Sequence, residues 1–393
     1  MSKQRDIFFV SPTNVADHRR GGASICSLAY LQAIAAAAPG RVVLVSPCRR
    51  EELLELPDGV DEVVQLPRRS LSDKVFTLLA GRAADRLSPF VDRLLRSRDL
   101  SRALFFMNFS RGGRFSRWLA DRGVPSITLF HNVEEQYVSA SVRTPVLRQL
   151  RLRAADRNDR DAFECSAASI FLSDFDADTM LQRSRQRQPD ARLVRNGYFS
   201  PKPHAGDPGP LPSPSGRDFI IACHLGVAQN ISGILRFIDE DWRKCVADGR
   251  LVGSKLIIAG ASPSPAIVAA CRSQPRIDLV SSPTDSAMRE LMARSIACIS
   301  TIDAGSGIKV RVAEALRLGR PVVGTAHSFI GYERIDPRVR IVAEIGAMHP
   351  RLADLATDPQ VAGLCTLASA EFAAKLSYSH GASWVRELVS SLR

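Results

Sequence analysis

Short runs of β-branched and aromatic residues alternate with stretches of helix formers along most of this chain, and the alternation happens in two series. In the first 200 residues the β-type runs are Ile7 to Val10, Val42 to Val45, Val63 to Leu66, Ala103 to Met107, Ser126 to Phe130 and Ser169 to Leu172. A second series follows at Phe219 to Cys223, Lys255 to Gly260, Ile277 to Val280, Ile296 to Thr301 and Pro321 to Gly324. Strands spaced by helical segments predict parallel sheets covered on both faces, because parallel neighbours need a crossover that is usually a helix. Between the series, Ser200 to Arg217 carries Pro201, Pro203, Pro208, Pro210, Pro212 and Pro214, and so sustains neither helix nor central strand. The 393 residues are too many for one ordinary core and suit two. The expected organisation is an α/β chain of two Rossmann-like, doubly wound domains facing a cleft. Residues 1–200 form the first domain, 201–217 the linker and 218–376 the second domain. The last segment, 377–393 around Trp384, reads as an amphipathic helix. Two such domains are expected to hold ligands outside the carboxyl ends of their strands, in the crevice between them.

Charge narrows the partners less than it first suggests. The net charge is +12, with arginines concentrated in the N-terminal half, for example Arg143, Arg148, Arg151, Arg153, Arg157 and Arg160. Such an excess attracts anionic lipid, nucleic acid and phosphorylated small molecules alike. No helix-turn-helix, zinc-finger or RNP-type pattern accompanies the arginines, so nucleic acid is not the expected partner. An anionic membrane surface remains one. Eight scattered cysteines show neither zinc spacing nor a disulfide framework and read as reduced thiols. No apolar run reaches the ~18 residues of a membrane span, and Ile7 to Val10 is too short for an export signal. The expectation is a cytoplasmic protein, at most peripheral on the inner face of the membrane.

The most informative segment is CISTIDAGSGIKVRVAEALRLGRPVVGT, Cys298 to Thr325. A strand ends near Thr301. A loop with Gly305, Ser306, Gly307 and Ile308 follows, then a helix with Lys309, Arg311 and Glu314. Glycines let a phosphate approach backbone N–H groups at a helix N-terminus, and adjacent cations add charge-assisted bonds to a diphosphate. Glu314, a turn further on, can accept protons from both hydroxyls of a ribose. Earlier in the chain, Gly21 and Gly22 precede the helix-forming stretch Ser24 to Ala38, a second glycine loop feeding a helix and a candidate acceptor or phosphate loop.

This segment resembles the donor-site signature of retaining GT-B glycosyltransferases of glycosyltransferase family four. One branch carries G-x-G-x-[basic]-x-[basic]-x-x-E-A followed by G-x-P-V-V. Gly305, Gly307, Lys309, Arg311, Glu314, Ala315, Gly319, Pro321, Val322 and Val323 fit it. The resemblance extends to Cys223 to Gly226 with Gln229-Asn230, to Leu256 to Gly260, to Leu129 to Glu134, and to Leu172-Ser173 with Arg195 to Gly197. Many family members have a second glutamate eight positions before the ribose-binding one, where this chain has Ser306.

The resemblance implies transfer of a hexosyl group from a nucleotide-sugar, of UDP or GDP type, to a glycan or lipid-linked acceptor. The anomeric configuration would be retained, in surface polysaccharide or glycolipid assembly. It makes 1–200 the acceptor-side domain and 218–376 the nucleotide-sugar-binding domain, and has the C-terminal helix over 377–393 cross back to the first domain. It places His131 beside the donor sugar and assigns catalysis to His131, Lys309 and Arg311. Donor binding falls to Gly305, Ser306, Gly307, Ile308, Glu314, Gly226 and Asn230. Glu134 is expected to favour the start of the following helix rather than to act in catalysis. No His/Cys cluster has metal spacing, neither a metal nor any other cofactor is expected, and cations with backbone amides would stabilise the leaving diphosphate. Two alternatives stay open: a non-hydrolysing sugar-nucleotide epimerase of the same fold, and a degenerate, non-catalytic binder of nucleotide-sugars.

Overall fold

The computed structural model describes residues 5–13, 15, 22–47, 57–66, 102–135, 138, 145–184, 191–203, 209–210, 213–304 and 307–392. The chain divides into two compact units. The first comprises Met1–Lys202, Ser306–Ile308 and Tyr378–Arg393, and the second Pro203–Gly305 and Lys309–Ser377.

The first unit is built on a parallel sheet of β1 (Asp6–Val10), β2 (Val42–Ser46), β3 (Glu62–Gln65), β4 (Ala103–Asn108), β5 (Ser126–Phe130), β6 (Ala168–Phe171) and β7 (Arg192–Val194), in the order β3-β2-β1-β4-β5-β6-β7. Strands β2, β4 and β5 are buried along their whole length, as expected for a sheet covered on both faces. Because β1 and β4 run in register, Phe8 lies beside Phe105 and Phe9 beside Phe106 on opposite faces. Both ring pairs stack, with centroids 4.8 and 5.2 Å apart. On one face Phe105 meets Phe115 of the helix Gly113–Ala120 edge-on. On the other, Phe106 meets Tyr30 of the helix Gly22–Ala37.

The C-terminal helix Tyr378–Ser391 lies against Gly22–Ala37, where Trp384 contacts both Tyr30 and Phe199. Gly381 makes that approach possible: a Cβ there would sit 2.0 Å from the Phe199 ring.

The second unit repeats the plan with β8 (Phe219–Ala222), β9 (Leu256–Gly260), β10 (Ile277–Ser281), β11 (Ala297–Ser300), β12 (Val322–Gly324) and β13 (Arg340–Val342), in the order β10-β9-β8-β11-β12-β13. Every strand pair is parallel. Renumbered within the unit, this is the 3-2-1-4-5-6 order of a Rossmann sheet, and the first unit begins with the same order. Helix starts follow ordinary capping chemistry. Ser264 accepts from Ile267 N at 3.3 Å and Thr284 from Ala287 N at 3.2 Å. A π-turn, Ile238–Trp242, buries the Asp241 carboxylate, which accepts backbone N–H bonds from Gly346, Met348 and His349 and so caps the helix His349–Thr357.

Strands β7 and β13, three residues each, escape the sequence pattern because neither carries a run long enough to display a period. Among the described residues of 201–217 there is no helix or strand. Residues 67–101, which carry several of the arginines of the N-terminal half, lie outside the described residues, as do Cys48 and Arg143. The described cysteines are all free thiols. Among the described residues, no helix is long and apolar enough to cross a membrane.

Candidate functional site

In a doubly wound sheet the chain reverses its direction of travel between the two central strands, and the loops leaving their carboxyl ends part to leave a ligand crevice. Each unit has one such point, between β1 and β4 in the first and between β8 and β11 in the second. The residues singled out by sequence fall close to both.

In the second unit, β8 leads into His224-Leu225-Gly226 and β11 leads into the loop that carries the glycine motif. Three glycines allow the backbone to close up here. A Cβ on Gly260 would lie 1.7 Å from the Cys223 carbonyl oxygen, one on Gly233 2.0 Å from that of Thr301, and one on Gly226 2.9 Å from that of Ser262. The loop after β11 is fastened by hydroxyls: Thr325 Oγ1 donates to the Ile302 carbonyl, and Ser328 Oγ reaches the Ser300 and Ile302 carbonyls at 3.1 Å. Arg236 ties it to the helix Ala228–Phe237 through Asp303 at 2.7 Å. Asn230 Nδ2 donates to the His224 carbonyl at 2.8 Å, and Gly226 N donates to His224 Nδ1 at 3.1 Å, so both of these donor-site candidates shape the loop after β8.

Gly305 and Ser306 lie outside the described residues, as does Gly21. Lys309 occupies the N-cap of the helix Val310–Arg317 without supplying a side-chain cap. Arg311 and Glu314 both lie on that helix, where they form an ion pair, Arg311 Nη1 to Glu314 Oε2. Arg311 is 44% exposed and Glu314 17%. The helix start thus presents backbone N–H groups and two cations, the requirements for an anion. Burial pushes the thiols of Cys223 and Cys298, next to this loop, up to about 12, so neither is a thiolate nucleophile.

In the first unit, β4 ends at Asn108 and β5 is followed by His131, both buried. His131 Nε2 is 2.8 Å from Asn108 Oδ1, and its imidazole stacks on Phe109 with centroids 3.9 Å apart. Phe109 itself has φ +90°, a left-handed conformation that costs a non-glycine residue strain and is often found at functional sites. Burial, with Arg111 adding a smaller effect, lowers the His131 pKa to about 3, so the ring is neutral at physiological pH. Arg111 lies over the Phe109 ring at 5.2 Å and pairs with the buried Glu134, Nε to Oε1 2.9 Å.

Beside them Asp159 is fully enclosed. It accepts from Ser110 Oγ at 2.5 Å and from Glu135 N at 3.3 Å. Burial raises its pKa to about 8. Gly22 opens the helix Gly22–Ala37. Gly307, at φ +77°, and Ile308 fall within the first unit, where a Cβ on Gly307 would lie 3.2 Å from the His131 carbonyl oxygen.

His131 stood out in the sequence; Asn108, Arg111 and Asp159 did not, and Glu134, expected only to favour a helix start, is buried against Arg111. The one available signal was the polar Asn108 closing the apolar run Ala103 to Met107, at the strand end where a Rossmann sheet places ligand-facing groups. Among the described residues, no group of three or more His, Cys, Asp or Glu is arranged to hold a metal ion.

Two parallel Rossmann-like sheets with flanking helices define the class: this is the two-domain fold of GT-B glycosyltransferases. Several solved structures share it along nearly the whole chain. HepE from Anabaena, solved in complex with UDP and glucose, matches with a TM-score of 0.63 and 13% identity over 98% of this chain and 100% of its own. WaaG, a glycosyltransferase involved in lipopolysaccharide biosynthesis, gives 0.65 and 13% over 96% and 98%. Sucrose-phosphate synthase from Thermosynechococcus elongatus gives 0.68 and 14%, over 99% of each chain. At such identities the likeness establishes the fold. No family model matches the sequence, and no curated protein is significantly similar to it.

Proposed function

We propose that this protein is a nucleotide-sugar-dependent glycosyltransferase of the hexosyl type, acting with retention and without a metal. The observation that carries the reading is a coincidence of motif and topology. The stretch ending in Lys309, Arg311 and Glu314 leaves β11, one of the two strands that flank the switch point of the second Rossmann unit. A nucleoside diphosphate bound there would meet backbone N–H groups at a helix start and two cations, with Glu314 a turn along to take the ribose. As the bond to the sugar breaks, negative charge develops on the departing diphosphate. Lys309 and Arg311 are placed to stabilise it, which is electrostatic catalysis without a protein nucleophile. Arg311 would exchange its pairing with Glu314 for one with phosphate, freeing the carboxylate for the ribose. Neutral, buried His131 suits hydrogen bonding to sugar hydroxyls better than proton transfer.

HepE was solved with UDP and with glucose, and WaaG is involved in lipopolysaccharide biosynthesis. By analogy the donor here is a UDP-sugar and the acceptor a glycan or lipid-linked saccharide of a surface polymer. The acceptor would be met at the inner face of the membrane, to which the +12 charge draws the protein from the cytoplasm.

The test is a thermal-shift panel of UDP-, GDP- and ADP-sugars followed by a donor-hydrolysis assay. Ligand at a hundred times its Kd stabilises by about 2.7 kcal/mol, a shift of several degrees. One nucleotide class should produce it, with slow release of the nucleoside diphosphate. Interconversion of sugar epimers would indicate an epimerase, binding without turnover a non-catalytic binder, and no shift with any nucleotide would end the nucleotide-sugar reading.

A further inference from the structure

The hydroxyl and amide groups around His131 settle which of its nitrogens carries the proton. Ser11 Oγ donates to the Thr13 carbonyl at 2.9 Å, and Ser27 Oγ to the Ala23 carbonyl at 2.7 Å. With their single protons so engaged, both oxygens can only accept on their remaining sides. Asn108 faces them at 3.0 and 2.8 Å, and the group that does so must be its NH2. Turning the amide over would set a carbonyl oxygen against two hydroxyl oxygens with no proton between either pair, a loss of two buried hydrogen bonds. The Asn108 carbonyl oxygen therefore points at His131, 2.8 Å from Nε2. A carbonyl accepts only, so Nε2 carries the hydrogen. All four side chains are buried, Ser11, Ser27 and Asn108 completely and His131 to 6% exposure, so water does not compete for these bonds. Phe109, held at φ +90°, stacks on the ring and fixes its plane.

We propose that Asn108 is a positioning residue: held by Ser11 and Ser27, it fixes His131 as the neutral Nε2–H tautomer and keeps Nδ1 as a lone-pair acceptor for a ligand hydroxyl. The ligand part rests on the transferase reading; the tautomer part stands on the hydrogen-bond directions alone. An acceptor nitrogen takes a proton-bearing group such as a sugar hydroxyl and turns away a carbonyl or a phosphate oxygen. The charged group that acts on the ring is Arg111, which disfavours the imidazolium and is itself paired with Glu134.

Long-range 1H–15N correlation spectra of 15N-histidine-labelled protein test this directly. The His131 signals are assigned by their absence from His131→Gln among those of the seven histidines. The expected wild-type result is a protonated Nε2 and an unprotonated Nδ1, unchanged between pH 5 and 8. An Nδ1–H tautomer, or a fast-exchanging mixture, overturns the proposal without any mutation of the network. Asn108→Asp places a carboxylate at the same point and should bring the His131 titration into the pH 5–8 range. It should also lower kcat/KM by about tenfold or more through a misdirected ring, with a new pH dependence that a merely structural asparagine would not produce. An Asn108→Asp protein whose His131 spectrum and pH profile match wild type also overturns the proposal. Added UDP-glucose should move the Nδ1 resonance and leave Nε2 in place. If the tautomer is as stated and no nucleotide-sugar binds, the transferase reading fails while the assignment of Asn108 stands.

Discussion

The two switch points use opposite chemistry on the same Rossmann plan. In the first unit, polar side chains are buried at the strand ends and joined into a closed network, Ser11 and Ser27 to Asn108 to His131, with a neutral imidazole at its end. In the second, the strand ends are brought together by glycines whose missing Cβ atoms let backbone touch backbone, and the charges, half-buried Lys309 and exposed Arg311, stand at a helix start. A buried network holds one geometry at the cost of desolvating its members, and any unmatched group in it is expensive. A glycine loop with exposed cations gives up that rigidity and gains donors for an anion. Stability should therefore be sensitive to polar substitutions at the first switch point and to added methyl groups at the second. Binding of an anion should depend on charges that contribute almost nothing to folding.

The largest effect expected is from a single methyl. Gly260→Ala forces a Cβ to within 1.7 Å of the Cys223 carbonyl oxygen, and the strand must shift or fail to pair. A loss of about 3 kcal/mol or more is expected in urea unfolding. Gly381→Ala, with the Phe199 ring 2.0 Å away, should do similar damage to the first unit. Intrinsic tryptophan fluorescence can separate the two, since Trp384 reports on the first unit and Trp242 on the second. If both variants lower the same transition equally, the units do not differ in the way argued.

Next come the cations. Lys309→Ala and Arg311→Ala should each cost about 1.5–3 kcal/mol of transition-state stabilisation, roughly ten- to over a hundredfold in rate. The melting temperature of Arg311→Ala should stay close to wild type, since substitutions at exposed sites usually fall within ±0.5 kcal/mol. Unchanged turnover would remove the second unit's cations from the site.

The pH dependence should separate two groups in the first unit. Burial lowers His131 from 6.5 to about 3, so its stabilisation is complete above 6.5 and declines as pH falls towards 3. Burial raises Asp159 from 3.8 to about 8, so the folded chain keeps a proton that the unfolded chain has released, and this stabilisation is complete below about 4 and lost as pH climbs to 8. Between about pH 4 and 6.5 the two slopes oppose each other; above 6.5 only the Asp159 loss continues, at up to about 1.4 kcal/mol per pH unit. Asp159→Asn should remove it, so the stability difference between variant and wild type should grow in the variant's favour from pH 4 to 8. A flat difference would show that Asp159 ionises normally.

The smallest effect concerns Glu314. Its ion pair with the half-exposed Arg311 is worth at most about 0.5 kcal/mol, so Glu314→Gln should melt within a degree or two of wild type while binding nucleotide more weakly. A collapse of the melting temperature would make Glu314 a structural residue.

The fold was readable because its longer strands are unbroken apolar runs, such as DIFFV and VVLVS, set apart by helix formers. A candidate site at the second switch point was visible too, since glycine and positive charge at fixed spacing leave a linear trace. The first was not. Its members, Ser11, Ser27, Asn108 and His131, come from four separate segments, each polar residue unremarked in its own neighbourhood. Their meaning comes from sheet order, which puts β1 and β4 side by side although nearly a hundred residues of chain separate them. The pairing of Arg311 with Glu314 was hidden for a different reason: i,i+3 spacing permits it, but which partner each group takes without ligand depends on rotamers that spacing does not encode.

The helix Tyr378–Ser391, which covers Tyr30 in the first unit, is made after the second unit. During synthesis the second unit emerges in between, so that the first waits for its closing element through roughly 175 residues, on the order of ten to thirty seconds at 5–20 residues per second. Over that interval the aromatic surface formed by Tyr30 and Phe199 is open to solvent and to other nascent chains. The second unit, whose sheet is completed within one continuous stretch of chain, faces no such delay. A ribosome-stalled chain ending before Tyr378 should therefore resist protease in its second half and be cut in its first, and should bind chaperones that recognise exposed aromatic side chains.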